Sequence, residues 1–127
     1  MRTSLCIALV LLTLTIGCGI LTSGEIRMLS DRYVSAAEEL LILTENEEWQ
    51  RAGETVESDI GSWEQTVPWL QTLINHDDTD SVTAALAQLR AGIRAQEQAM
   101  CYEACAMLRE NARHLYHRDA FTLGNVL

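Results

Sequence analysis

The sequence predicts an all-α protein, with an N-terminal transmembrane helix followed by a small antiparallel bundle of three to four helices. Three observations carry this. Residues 5–21 (LCIALVLLTLTIGCGIL) are almost continuously apolar, and no charged residue stands between Thr3 and Gly24. Past that stretch, apolar side chains recur every three or four residues, the spacing of one helix face, and nowhere is there a sustained period-two alternation of the kind strands show. One proline and 7 glycines in 127 residues are too few for a turn-rich β fold.

With its flanks, the first apolar stretch spans roughly 30 Å as a helix, the thickness of a hydrocarbon core. A cleaved signal peptide would use a small-residue site at Gly17–Gly19 or Thr22–Gly24, and a lipoprotein would use Cys18 in Thr15-Ile16-Gly17-Cys18. An uncleaved anchor is preferred, because the helical pattern continues directly from residue 20 to 44 without the polar spacer that usually follows a lipidated cysteine. Residues 1–24 are therefore expected to anchor the chain in the bilayer through residues 5–21. The short head before Leu5 places residues 25–127 outside the cytoplasm of a bacterial cell, as a single-pass membrane protein.

Four apolar runs follow. Ile26, Leu29, Tyr33, Ala36 or Ala37, Leu40 and Leu43 form the first, and Thr44-Glu45-Asn46 the turn after it. Trp49, Ala52, Val56, Ile60, Trp63, Val67, Leu70 and Ile74 form the second, which Pro68 should kink or break by removing a donor and crowding the previous turn. The polar cluster from Asn75 to Ser81 supplies N-caps and first-turn acids for a third helix carrying Val82, Leu86, Leu89 and Ile93. Met100, Ala104, Met107 or Leu108, Asn111 and Leu115 form the fourth. No glycine or proline separates it from the third, but a hairpin is preferred because one long amphipathic helix would leave its apolar face unburied. The pattern fails from Arg118, so residues 118–127 are expected to be an irregular tail. Phe121, Leu123, Val126 and Leu127 are apolar, and the tail is expected to fold back near Trp63, Trp69 and His76, with Phe121 or Leu123 buried against the second or third helix and the Asn125 amide bonded at a helix end; a mobile tail that orders only on a partner is the alternative.

The net charge of −9 argues against nucleic acid as a partner. Residues 45–80 carry ten acidic side chains and one basic residue, Arg51, so this stretch holds the whole excess. A solvated outer face explains it best, and a docking surface for a basic partner is the sharper alternative.

Chemistry-bearing motifs are sparse. Cys6 and Cys18 lie in the apolar stretch. Cys101 and Cys105 share a helix face at a spacing that helical geometry does not favour for a disulfide, so small-residue packing is the simpler role. Asp77, Asp78 and Asp80 resemble a calcium-loop fragment without its glycine or terminal glutamate, so capping is expected. His76 has no nucleophile, oxyanion turn or phosphate loop beside it. The expectation is a non-enzymatic interaction module without a cofactor, whose partner is another membrane protein or a second copy. The rival is an envelope module binding a metal or small ligand through His76, His114, His117 and the Cys101/Cys105 pair.

From Trp63 the residue order is familiar. Trp63, Trp69, Leu73-Ile74-Asn75-His76, Asp78, Asp80, Leu86, Leu89, Ile93 and the closing Leu123-Gly124-Asn125-Val126-Leu127 resemble a family of Firmicute bacteria catalogued as domain of unknown function 4363. The resemblance implies a short, single-anchor, all-helical envelope protein and no particular activity. The chain departs from the family pattern at Thr79, where an apolar residue is usual, and at Tyr116-His117, which replaces a more proline-like turn.

Overall fold

In the computed structural model the backbone is described for residues 1–126 and the side chains for residues 1–116. Four helices follow one another: α1 (Arg2–Glu45), α2 (Trp49–Leu70), α3 (His76–Ala95) and α4 (Gln98–Val126), with no strand among the described residues. The predicted fold class holds.

α1 is one unbroken helix of 44 residues, ~66 Å long. From Met1 to Ile16 every residue is exposed, and Leu5, Leu9 and Leu21 each show well over half of their surface. Burial begins at Ile26, and from there Tyr33, Ala36, Ala37, Leu40 and Leu43 line the bundle face. The same helix thus leaves the uncharged stretch and enters the core without a hinge.

The core follows the first three predicted stripes, while on α4 it lies one residue round from the predicted one, with Cys101 and Ala112 buried in place of Met100 and Asn111. Ala52, Val56, Ile60, Trp63 and Leu70 come from α2, and Val82, Leu86, Leu89 and Ile93 from α3. Cys101, Ala104, Cys105, Leu108, Ala112 and Leu115 come from α4. Of the two candidates at the third turn of α4, Leu108 is buried and Met107 is 42% exposed. α4 packs most extensively on α1 and next on α3, whereas the chain neighbours α1 and α2 touch least. An antiparallel register between α1 and α4 is pinned at three heights. Gln98 Nε2 donates to the Thr44 carbonyl (3.3 Å), the Ser30 hydroxyl donates to the Ala112 carbonyl (2.7 Å), and the Arg27 guanidinium lies over the Tyr116 ring (5.7 Å).

Two turns use the same device. Glu47 (φ 58°) and Gln96 (φ 54°) are the two non-glycine residues with positive φ among the described residues. After α1, the Glu48 N–H donates to Leu43 O and the Glu47 N–H to Thr44 O. After α3, the Glu97 N–H donates to Gly92 O and the Gln96 N–H to Ile93 O. Both patterns close the last helical carbonyls through a left-handed residue, a position that glycine normally takes. The third and fourth helices therefore form the expected hairpin with no glycine at the turn, and the first turn falls at Asn46–Glu48, slightly later than predicted. A left-handed side-chain residue costs about 1 kcal/mol. Gln96→Gly should raise stability by up to that amount, read as a higher midpoint in urea for the full chain in detergent; an unchanged or lower midpoint refutes the account.

Three expectations need correction. Pro68 does not kink a helix that continues to Ile74: α2 ends at Leu70, and residues 71–74 form turns closed by Gln71 N–H to Val67 O and Ile74 N–H to Leu70 O. The proline falls in the last turn: the donor it lacks would have met Glu64 O, and the ladder runs on past it to Gln71 N–H before the helix ends. Thr44 is not a turn residue; it is buried in α1, its hydroxyl donating to Leu41 O. Lastly, the backbone from Arg118 to Val126 is helical, continuing α4, where an irregular tail was predicted. Apolar periodicity reports which face is buried, whereas the backbone ladder needs only the absence of a breaker, and no proline follows Pro68. The side chains of Phe121, Leu123 and Asn125, and Leu127 altogether, lie outside the described residues, and so does their expected docking.

Candidate functional site

The predicted aromatic and histidine positions are divided by the fold. Trp63 is 1% exposed and sits at the centre of the α1–α2–α3 junction. Its ring meets Tyr33 edge-on (centroids 5.1 Å apart, planes at 78°), and its indole N–H donates to Thr83 Oγ1 at 2.8 Å. Tyr33 is fully buried, and its hydroxyl donates to the Asp59 carbonyl at 3.3 Å. Burial, more than the neighbouring charges, pushes the Tyr33 phenol up to about 12, so it remains a neutral donor. This is a structural seam with its polar atoms satisfied, and the spacing of Trp63 on the apolar stripe already implied it.

Thr79, where the family pattern is usually apolar, is also fully buried. Its hydroxyl donates to the His76 carbonyl (2.8 Å) and accepts from Gln71 Nε2 (3.0 Å), so both of its hydrogen-bonding roles are filled locally. Asn75 caps α3, its Oδ1 accepting from the Asp77 N–H (3.3 Å), with Asp77 and Asp78 in the first turn where the helix dipole favours them. The cap is thus Asn75 rather than one of the acids that were expected to cap, and Asp77 and Asp78 occupy the first turn behind it. His76 itself is exposed on this corner.

Trp69 faces outward, 41% exposed. With Glu25, Met28, Leu29 and Arg32 of α1 it lines an open groove of about 750 Å³. A second, smaller and more enclosed groove of about 350 Å³ runs between α1 and α4 beside Leu41, Tyr102 and Cys105. The first is the more apolar surface and adjoins the start of the exposed half of α1.

The residues of the rival metal reading are not gathered. Cys101 and Cys105 are buried as free thiols among α1, α3 and α4. Burial is the main cause that raises the Cys105 thiol to about 12 and also raises Cys101, with Glu97 adding to the latter. Thiols held protonated in this way are poor nucleophiles and poor ligands. His114 lies nine residues beyond Cys105, about 14 Å along the same helix, exposed and 3.1 Å from Glu110 Oε1. Among the described residues no group of three or more His, Cys, Asp or Glu side chains stands close enough to hold a metal ion. The His117 side chain lies outside the described residues.

Asp59 is the polar group that sequence reasoning missed. It lies three residues after Val56 and four before Trp63, on the stripe that faces the core, and this spacing was the available signal. Its Oδ2 is buried without a hydrogen-bond partner among the described residues. Burial raises its carboxyl above the usual range, Glu39 adds to the rise, and Arg32 opposes it. The folded state therefore holds this proton more tightly than the unfolded chain, whose carboxyl titrates near 3.8. Stability from this group is present below that value and is lost as pH rises through the raised folded value. Asp59→Asn should melt higher than wild type at pH 7, with the gap closing as the pH falls toward 4. Melting curves of both proteins across that range check it, and a lower melting temperature at pH 7 refutes it.

The fold places an apolar helix half beside an outward Trp69 groove, with a packed, hydrogen-bonded corner behind it. No curated protein and no solved structure matches the chain. A family described as a domain of unknown function (DUF4363) matches over residues 20–126, from the end of the apolar stretch through all four helices of the bundle. The chain belongs to that family, as the Trp63-to-Leu127 resemblance implied.

Proposed function

We propose that this chain is a membrane-tethered, non-enzymatic helical interaction module, held on the extracytoplasmic face of a bacterial cell membrane. The observation that supports it is the division of α1. Its window of highest hydropathy is long enough to cross a bilayer and has none of its residues buried in the bundle. Ten large apolar side chains between Leu5 and Leu21 are at least half exposed, and leaving each in water forgoes roughly 1.5–3 kcal/mol of available burial. A bilayer supplies that burial for all of them at once. Because α1 continues into the core, the tether is stiff and holds the bundle at the membrane surface. The bundle then presents its grooves and the acidic outer face of α2 to a neighbouring membrane protein or a second copy.

Treating intact cells with a membrane-impermeant protease tests the topology. Loss of residues 25–127, from a chain whose N-terminus is otherwise intact, is the expected result. Protection of that part, or a mature N-terminus at Cys18 or Glu25, overturns it.

A further inference from the structure

We infer that the bundle end formed by Met28, Trp69 and Leu73 contacts the headgroup layer of a phospholipid bilayer, as a second membrane anchor beside α1. The inference rests on the tethered reading above and adds to it a surface and an occupant. The uncharged stretch from Thr3 to Gly24 is 22 residues long, ~33 Å as a helix, enough to fill a hydrocarbon core of about 30 Å. Met28 and Leu29 follow on the same unbroken helix, only about 6–8 Å further along. The headgroup layer on each side of the core is about 5–8 Å deep, so this turn of α1 lies within or at the edge of it.

The C-terminal end of α2 closes against α1 at this height. Trp69 shares its groove with Glu25, Met28, Leu29 and Arg32. Met28 is 72% exposed, and Trp69 and Leu73 are each 41% exposed. Four residues after Trp69, Leu73 belongs to the turn that leads from α2 into α3 at the same end. In water such a patch is a cost. In the interfacial layer, a half-exposed indole flanked by aliphatic side chains is favourably placed, because the ring is amphipathic, with an apolar body and a polar N–H. The acids at this end, Glu25 and the first turn of α3, limit the contact to headgroup depth. A protein occupant is less well matched, because the straight continuation of α1 already brings lipid to this surface.

The consequence is orientational. A single helix leaves a bundle free to tilt and spin, whereas a second contact off the helix axis fixes which face looks along the membrane.

The full chain in phosphatidylcholine vesicles, with acyl chains brominated close to the headgroup, provides the test. Tryptophan emission of the wild type should be quenched relative to unbrominated vesicles. Trp69→Phe should abolish that quenched component, and Trp49→Phe, at the opposite end of α2, should retain it. Quenching that survives in Trp69→Phe overturns the inference. So does an unquenched wild type that resists alkaline extraction from the vesicles, and in that case the tether stands. A chain that alkali washes off removes both the tether and this contact. If Trp69→Phe fails to fold, Leu73→Ser should reduce wild-type quenching, and undiminished quenching there counts against the inference.

Discussion

Trp63→Ala is expected to destabilise the bundle by about 3–5 kcal/mol, a large share of the stability of a domain this size. The indole is 1% exposed, and its removal opens a cavity where α1, α2 and α3 meet. It also strips Tyr33 of its edge-on partner at 5.1 Å and leaves Thr83 Oγ1 without the indole N–H at 2.8 Å. Aromatic pairing of this kind contributes about 0.5–1.5 kcal/mol beyond burial. Trp63→Phe separates the terms, since it keeps most of the volume and loses the hydrogen bond; its loss should be clearly smaller. Because α1 and α2 touch least among the chain neighbours, this junction governs whether α2 stays docked. Hydrogen exchange in Trp63→Ala should therefore accelerate first in α2. A loss below about 1 kcal/mol on unfolding in urea would contradict the placement of Trp63 at the centre of the core.

Gly92→Ala and Gly61→Ala are expected to move stability in opposite directions. Alanine in a helix interior is normally favoured over glycine by roughly 0.5–1 kcal/mol. At Gly61 an added Cβ meets nothing within 4 Å, so that gain should appear. At Gly92 the same atom would lie 3.0 Å from Cys101 Sγ, 3.2 Å from the Cys101 backbone nitrogen and 3.2 Å from Met100 Cγ. The Cys101 thiol and the Met100 side chain can rotate in part, but the backbone of α4 at Cys101 cannot yield without moving the helix. The net effect should be a loss of about 1–3 kcal/mol. Thermal unfolding of both variants of the full chain in detergent checks the sign, and stabilisation at Gly92 refutes the close crossing. This contact lies next to the Gln96 turn, so the left-handed residue and the glycine act together: one reverses the chain in three residues, the other lets the two helices touch as soon as they separate.

Local periodicity determined a good deal. The stripe residues Leu40, Val56, Leu86 and Leu115 announced themselves by spacing, because a side chain's face on a helix follows from its position in the 3.6-residue repeat alone. The apolar stretch 5–21 and the capping cluster from Asn75 to Ser81 were equally legible, since each depends only on consecutive residues, although which residue of the cluster caps α3 was not. Family membership was legible from Trp63 onward for the same reason.

Contacts between distant residues were not. That Trp69 lines an outward groove with α1, that Asp59 lies against α1, and that α4 rather than α2 is the main partner of α1 all depend on how the helices are arranged in space. Gly92 looked like any helical glycine until α4 crossed it. The end of α4 makes the converse point: the helix runs on to Val126 after the apolar period stops, because backbone hydrogen bonding is satisfied residue by residue whether or not a face is buried. Sequence determined which faces are apolar and where the chain can turn, both being short-range properties. Tertiary structure alone decided which faces meet, because burial is shared between residues far apart in the chain, and so it alone placed Met28, Trp69 and Leu73 together at the end of the bundle nearest the exposed half of α1.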